Sequence, residues 1–250
     1  MNRRQSANEP EPLPVDPIPF NVEEHGSRYR RSHRDNCREQ YILFVLDASG
    51  SIDKRWFDRV TDLLAELVRY FCKPIRVATM TFDNQFYAEF CFDEFDNSPL
   101  GRVGASAAIN ATDYRRHGRS THTAGAAKCV CEYMLTDTCG YPVNAGCTDV
   151  IFFTDGRAND PSLDICTEIQ CLHNRRGVDT FAIGVGNYDD LSLGCYGEND
   201  LQLDEYHIFD FSNFASLERE FKIVIQKLLN TALYGGEYNC TSPGVDPRGH

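Results

Sequence analysis

From Tyr41 onward, short and almost wholly apolar runs alternate with longer stretches whose apolar residues recur at helical spacing. Tyr41 to Leu46 reads Tyr-Ile-Leu-Phe-Val-Leu and predicts a strand buried on both faces. In the segment Trp56 to Phe71, residues Phe57, Val60, Leu63, Leu64, Leu67, Val68 and Phe71 fall on one face of a helix, which Pro74 ends. Ile75 to Phe82 predicts a second strand. Gln85 to Phe92 alternates apolar with polar and predicts a third, half-exposed strand across a tight Asp83-Asn84 turn. Helices are predicted over His122 to Leu135 and Leu163 to Arg175, and strands over Asp149 to Thr154, Asp179 to Val185 and His207 to Phe209. A closing helix from Ala215 to Leu233 carries Leu217, Phe221, Val224, Ile225 and Leu228 as its apolar stripe.

This alternation predicts an α/β fold: a doubly wound, mostly parallel sheet of about six strands with helices on both faces. The third strand joins antiparallel at an edge, because its connection is too short for a crossover. One domain is expected over residues 37–240, with a flexible tail at 241–250. Residues 1–36 predict a disordered leader, in which proline alternates with polar residues before a basic cluster from Arg28 to Arg34. Within that cluster Arg28-x-Arg30-Arg31 resembles the pattern that furin-type convertases cut, which makes Arg31 a candidate processing position.

Composition narrows the function classes. The formal net charge of -12 disfavours non-specific binding to nucleic acid or to an anionic membrane. No run approaches the roughly 18 apolar residues of a membrane span. Eleven cysteines point to an oxidising, extracellular compartment, and the odd number leaves at least one thiol outside intramolecular bridges. Cys139 to Cys147 looks like a disulfide-tied loop, with Cys129 and Cys131 as competing partners. Asn110-Ala-Thr and Asn239-Cys-Thr are candidate glycosylation sequons. The first forty residues hold no apolar signal-peptide core, so a secreted chain is expected to be a fragment or to have another start.

The chemistry lies at the predicted strand ends, where open parallel sheets bind ligands. The first strand runs into Asp47-Ala-Ser49-Gly-Ser51, and a later one ends in Phe153-Thr-Asp155-Gly. Between them Gly118-Arg-Ser-Thr-His-Thr-Ala opens the middle helix and offers Thr121. Two carboxylates and several hydroxyls are hard oxygen donors, a set suited to Mg2+ or Mn2+. There is no G-x-x-x-x-G-K-[ST] phosphate loop, no G-x-G-x-x-G dinucleotide turn and no G-x-S-x-G elbow. Without a general base beside a nucleophile, the site is not read as an enzyme's.

Asp-x-Ser-x-Ser, Ser-Thr-His-Thr and Phe-Thr-Asp-Gly, in that order within one α/β pattern, resemble the von Willebrand factor type A domain with its metal-ion-dependent adhesion site. The resemblance spans Cys37 to Cys240. It implies that Ser49 and Ser51 bind the metal directly and that Thr121 does so when ligand is engaged. It further implies that Asp47 and Asp155 act largely through coordinated water, and that a Glu or Asp of a protein partner completes the octahedron. By the same resemblance, a Cys37–Cys240 bridge would join the domain ends, and the closing helix would shift as ligand arrives. The implied function is an extracellular adhesion or matrix module with a matrix or cell-surface protein partner. The alternatives are the non-catalytic part of a complement-like protease and a self-associating matrix component.

Overall fold

The computed structural model describes residues 39–69, 74–114, 120–143, 145, 147–154, 160, 162–175, 177–186, 193–197 and 207–228, with the side chains of 222–228 excepted. Arg31, Cys37, Asp155, Asn239, Cys240, the predicted leader and the predicted tail lie outside these residues. Six strands form one sheet: β1 (Gln40–Asp47), β2 (Ile75–Phe82), β3 (Phe86–Phe90), β4 (Thr148–Thr154), β5 (Val178–Val185) and β6 (Ile208–Phe211). Their spatial order is β3-β2-β1-β4-β5-β6, parallel throughout except for the antiparallel edge strand β3. The doubly wound fold expected from the apolar runs is therefore present.

Alternation along β1 assigns the two cores. Ile42, Phe44 and Leu46 enter one apolar layer with α1 (Lys54–Arg69), α2 (Pro99–Asn110) and α5 (Phe214–Leu228). Tyr41, Leu43 and Val45 enter the other, with α3 (Thr123–Cys129) and α4 (Ile165–His173). A strand covered on both sides has no polar position to spare, which is why its sequence is a continuous apolar run.

Two elements differ from the sequence reading. Helix α2 was not predicted, because its large apolar residues Leu100 and Val103 point outward, 82% and 58% exposed, while Ala105, Ser106 and Ile109 are buried. Local chemistry starts it instead: the Ser98 hydroxyl accepts from the Gly101 amide at 3.1 Å, and Pro99 occupies the first turn. The helix expected over His122 to Leu135 is α only to Cys129 and continues as a π-turn over Val130–Met134. There the Arg175 guanidinium donates to the carbonyls of Cys131 and Leu135, both at 2.7 Å.

The cysteine expectations also change. Cys139 is bonded to Cys91, so no Cys139–Cys147 loop is closed; Cys147 is itself disulfide-bonded. Cys131–Cys171 ties the π-turn to α4, and Cys166–Cys195 ties α4 to the segment after β5. Among the described residues Cys129 is the free cysteine, half-buried, and burial pushes its thiol upward.

At the end of the sheet where β1 begins, Glu39 accepts from Arg76 at 2.9 Å, from Asn97 at 2.7 Å and from Tyr41 at 2.9 Å. Burial alone would raise the Glu39 carboxyl, but these three donors outweigh it and hold it below the usual value. Burial, and then the bond to Glu39, push Tyr41 up to about 12. A depressed carboxyl stabilises the fold above its unfolded pKa and loses that contribution as pH falls through the folded value. Replacing Glu39 with Gln should therefore lower the unfolding free energy from urea denaturation at pH 7, by less than about 1 kcal/mol for this partly exposed cluster. The difference between variant and parent should shrink as pH falls below the ordinary glutamate range and vanish once the folded-state carboxyl is protonated.

Candidate metal centre

Strand β1 is flanked by β2 and β4, so the chain leaves it in opposite directions on its two sides. Such a switch point opens a crevice beyond the carboxyl ends of the strands. Asp47, the last residue of β1, lies level with Phe82 of β2 and is only 1% exposed. A buried carboxylate needs donors. Its Oδ1 accepts from the Ser49 amide at 2.8 Å, and its Oδ2 from the Thr154 hydroxyl at 2.7 Å. One bond folds the β1 loop back on itself, and the other joins it to the end of β4.

The loop that follows is fixed by its backbone. The Ala48 amide donates to the Phe82 carbonyl at 2.7 Å and the Ile52 amide to the Ser49 carbonyl at 3.1 Å; the Tyr114 hydroxyl donates to the Ile52 carbonyl. Across the crevice the His122 amide donates to the Asp83 carbonyl at 3.0 Å, which brings in the loop carrying Thr121. The Thr121 hydroxyl then donates to Ser49 Oγ at 3.1 Å, and Ser49 Oγ lies 3.0 Å from Ser51 Oγ. Ser49 and Thr121 are buried, whereas Ser51 is exposed, so the row of hydroxyls runs from the interior to the surface.

The donor set fits a small hard cation. An octahedral Mg2+ with ligands at about 2.0–2.1 Å puts adjacent oxygens roughly 3 Å apart. The two hydroxyl separations, 3.0 and 3.1 Å, match that edge. Asp47 already has each oxygen engaged by a protein donor, which suits an outer role better than direct ligation. Asp155, the other carboxylate of the expected set, follows Thr154 in the chain and lies outside the described residues.

Hydrogen bonds link Asp47, Ser49, Ser51 and Thr121, and two supporting residues carry no signal in the sequence. Thr154 stands beside Asp155 in the sequence, but no spacing rule marks it as the donor to Asp47. Asp160, further along the same loop, receives the Ala124 and Gly125 amides at 3.0 and 2.9 Å. Tyr196 lies under the site, 1% exposed, and its hydroxyl has no hydrogen-bond partner among the described residues. Burial, reinforced by the Asp47 and Asp160 carboxylates, raises its pKa well above the ordinary value, so the phenol stays neutral. Replacing Asp47 with Ala leaves the Ser49 amide and Thr154 hydroxyl without their acceptor. In EDTA this should cost about 1–3 kcal/mol by urea denaturation, a loss that metal chemistry cannot explain.

Comparison with known proteins agrees with this architecture. The family model for the von Willebrand factor type A domain matches residues 42–222. The collagen alpha-6(VI) chain of Homo sapiens is 26% identical over 204 residues, covering 80% of this chain and 8% of the collagen chain. Integrin alpha-X of Homo sapiens is 29% identical over 158 residues, covering 61% of this chain and 13% of the integrin. The chain thus spans a small part of the curated relatives it matches. Among solved structures, proximal thread matrix protein 1 from the mussel byssus superposes with a TM-score of 0.62 at 22% identity, covering 77% of this chain and 46% of that one; its MIDAS motif is occupied by zinc in that structure. At that identity the likeness concerns the fold. The match over residues 42–222 carries the conclusion that this chain belongs to the von Willebrand factor type A domain family.

Proposed function

We propose that this domain is an extracellular adhesion or matrix module that binds an acidic residue of a protein partner through a divalent cation. Ser49, Ser51 and Thr121 would hold the ion through their hydroxyls, with Asp47 and Asp155 contributing largely through water. The observation that carries this reading is the hydroxyl row at 3.0 and 3.1 Å beside a carboxylate already engaged by protein donors. When bound, Mg2+ or Mn2+ supplies positive charge that neutral hydroxyls do not cancel, so a Glu or Asp side chain is the natural incoming ligand. Buried Ser49 and Thr121 orient the donor row, and exposed Ser51 sets its outer end. No residue in this arrangement acts as a nucleophile with a base beside it, and the role proposed is binding without catalysis.

The setting agrees with that role. Relatives among collagen and integrin chains belong with matrix and adhesion proteins. Three bridges among the described residues suit secretion into an oxidising compartment. Asn110 is exposed at the last residue of α2, and its sequon leaves it open to a glycan. Expression through a secretory pathway should give a chain whose mass falls on N-glycosidase treatment, and Asn110→Gln should remove the part of that change due to this sequon. An unchanged mass shift in Asn110→Gln would exclude a glycan there.

The metal reading is tested by calorimetry with Mg2+. Asp155→Ala and Ser49→Ala should each reduce Mg2+ affinity at least about tenfold while thermal unfolding in EDTA stays cooperative. The parent's binding to immobilised matrix proteins should be abolished by EDTA and restored by Mg2+. Unaltered Mg2+ affinity in both variants would remove the site, and binding insensitive to EDTA would remove the metal from recognition. Light scattering with and without EDTA separates partner binding from self-association.

A further inference from the structure

We propose that Asp160 is a positioning residue for the metal centre, acting through Thr121; this rests on the metal reading of the site. Asp160 Oδ2 accepts from the Ala124 amide at 3.0 Å and Oδ1 from the Gly125 amide at 2.9 Å. Both carboxylate oxygens therefore grip the first turn of α3, and that turn continues directly from Thr121 and His122. On the other side the His122 amide is bonded to the Asp83 carbonyl at the end of β2. Both attachments fall within the four residues that follow Thr121, so they fix the start of the helix it leads into, and its hydroxyl reaches Ser49 at 3.1 Å.

Gly125 shows how closely the turn is seated. A Cβ at this position would lie 2.5 Å from Cζ of Phe86 and 3.2 Å from Oδ1 of Asp160. A side chain here would push the exposed ring of Phe86 aside and crowd the carboxylate, so glycine seats the turn close to both. Three elements thus converge on the start of α3: the end of β2, the start of β3 and the loop after β4 that holds Asp160. In the sequence Asp155 stands five residues before Asp160. Asp160 consequently fixes the turn that follows Thr121 from the chain beyond β4. It need not touch the ion to matter, because a binding site depends on donors held to within about 0.5 Å of their working geometry.

A plain helix cap would explain the two hydrogen bonds, and the experiment separates the two roles. Mn2+ affinity is measured by the electron paramagnetic resonance of free Mn2+, on the full chain and on Asp160→Ala, Asp160→Asn, Thr121→Val and the double variant Asp160→Ala/Thr121→Val. Asp160→Ala should weaken Mn2+ about tenfold, in the range found for outer-sphere partners of metal ligands. In the Thr121→Val background the same change should add less than about twofold, because residues that act as a unit are not additive. Asp160→Asn keeps one strong acceptor and should fall between, so the proposal can be read even if the alanine variant folds poorly. Full Mn2+ affinity in Asp160→Ala and Asp160→Asn, with only a lowered Tm, would overturn the proposal and leave a cap. An equal loss in both Thr121 backgrounds would overturn it too. Absence of Mn2+ binding by the parent chain would overturn the metal reading and this proposal with it, whereas the first two results leave the metal reading intact.

Discussion

The site depends on the way the Asp47 carboxylate is shared. One oxygen closes the loop that follows β1, and the other reaches the last residue of β4. The bond to Thr154 spans neighbouring parallel strands at the point where the chain order reverses, so it ties the halves of the doubly wound sheet where a crevice must open. A carboxylate that is 1% exposed carries a desolvation cost that only such donors offset. Its position in turn sets Ser49, whose hydroxyl is the middle of the row running from Thr121 to Ser51.

The layers behind the crevice make that geometry hold. On one face α1, α2 and α5 cover Phe44, Ile151 and Phe181; on the other α3 and α4 cover Val45, Val150 and Phe152. The three described disulfides involve the second face: Cys91–Cys139 joins the residue after β3 to the turn at Asp137–Cys139, and the other two connect the π-turn, α4 and the segment after β5. That is the face on which α3 begins, and Thr121 stands just before it. Packing restricts the element that delivers the third hydroxyl, and the Cys131–Cys171 bridge holds the π-turn that continues it, while Ser51 is exposed at the mouth.

Burial on both sides made the strands legible in the sequence. Tyr41–Leu46 is an apolar run because neither of its faces meets water, Ile75–Phe82 is buried everywhere but at Arg76, and the observed strands agree within a residue at each end. Asp47, Ser49, Ser51 and Thr121 were legible because their chemistry is written in residue type and spacing at strand ends. Helix α2 was not, since Ala105 and Ile109 supply its buried contact while Leu100 and Val103 face outward, the reverse of the usual pattern. Cysteine pairing was not legible either: Cys91 and Cys139 are 48 residues apart, and only the fold brings them within a bridge. Thr154 and Asp160 act through hydrogen bonds to neighbours distant in sequence, and no local pattern records those.

The account reduces to one geometric claim, that a divalent cation sits against the hydroxyls of Ser49, Ser51 and Thr121 with a coordination position left for a carboxylate. Crystals of the domain grown with Mn2+ and a glutamate-containing peptide test it through the anomalous scattering of manganese. The predicted result is a single peak at about 2.1–2.2 Å from the three hydroxyl oxygens, with a peptide carboxylate oxygen completing the shell. A manganese peak elsewhere on the domain, with none against Ser49, Ser51 and Thr121, would contradict it.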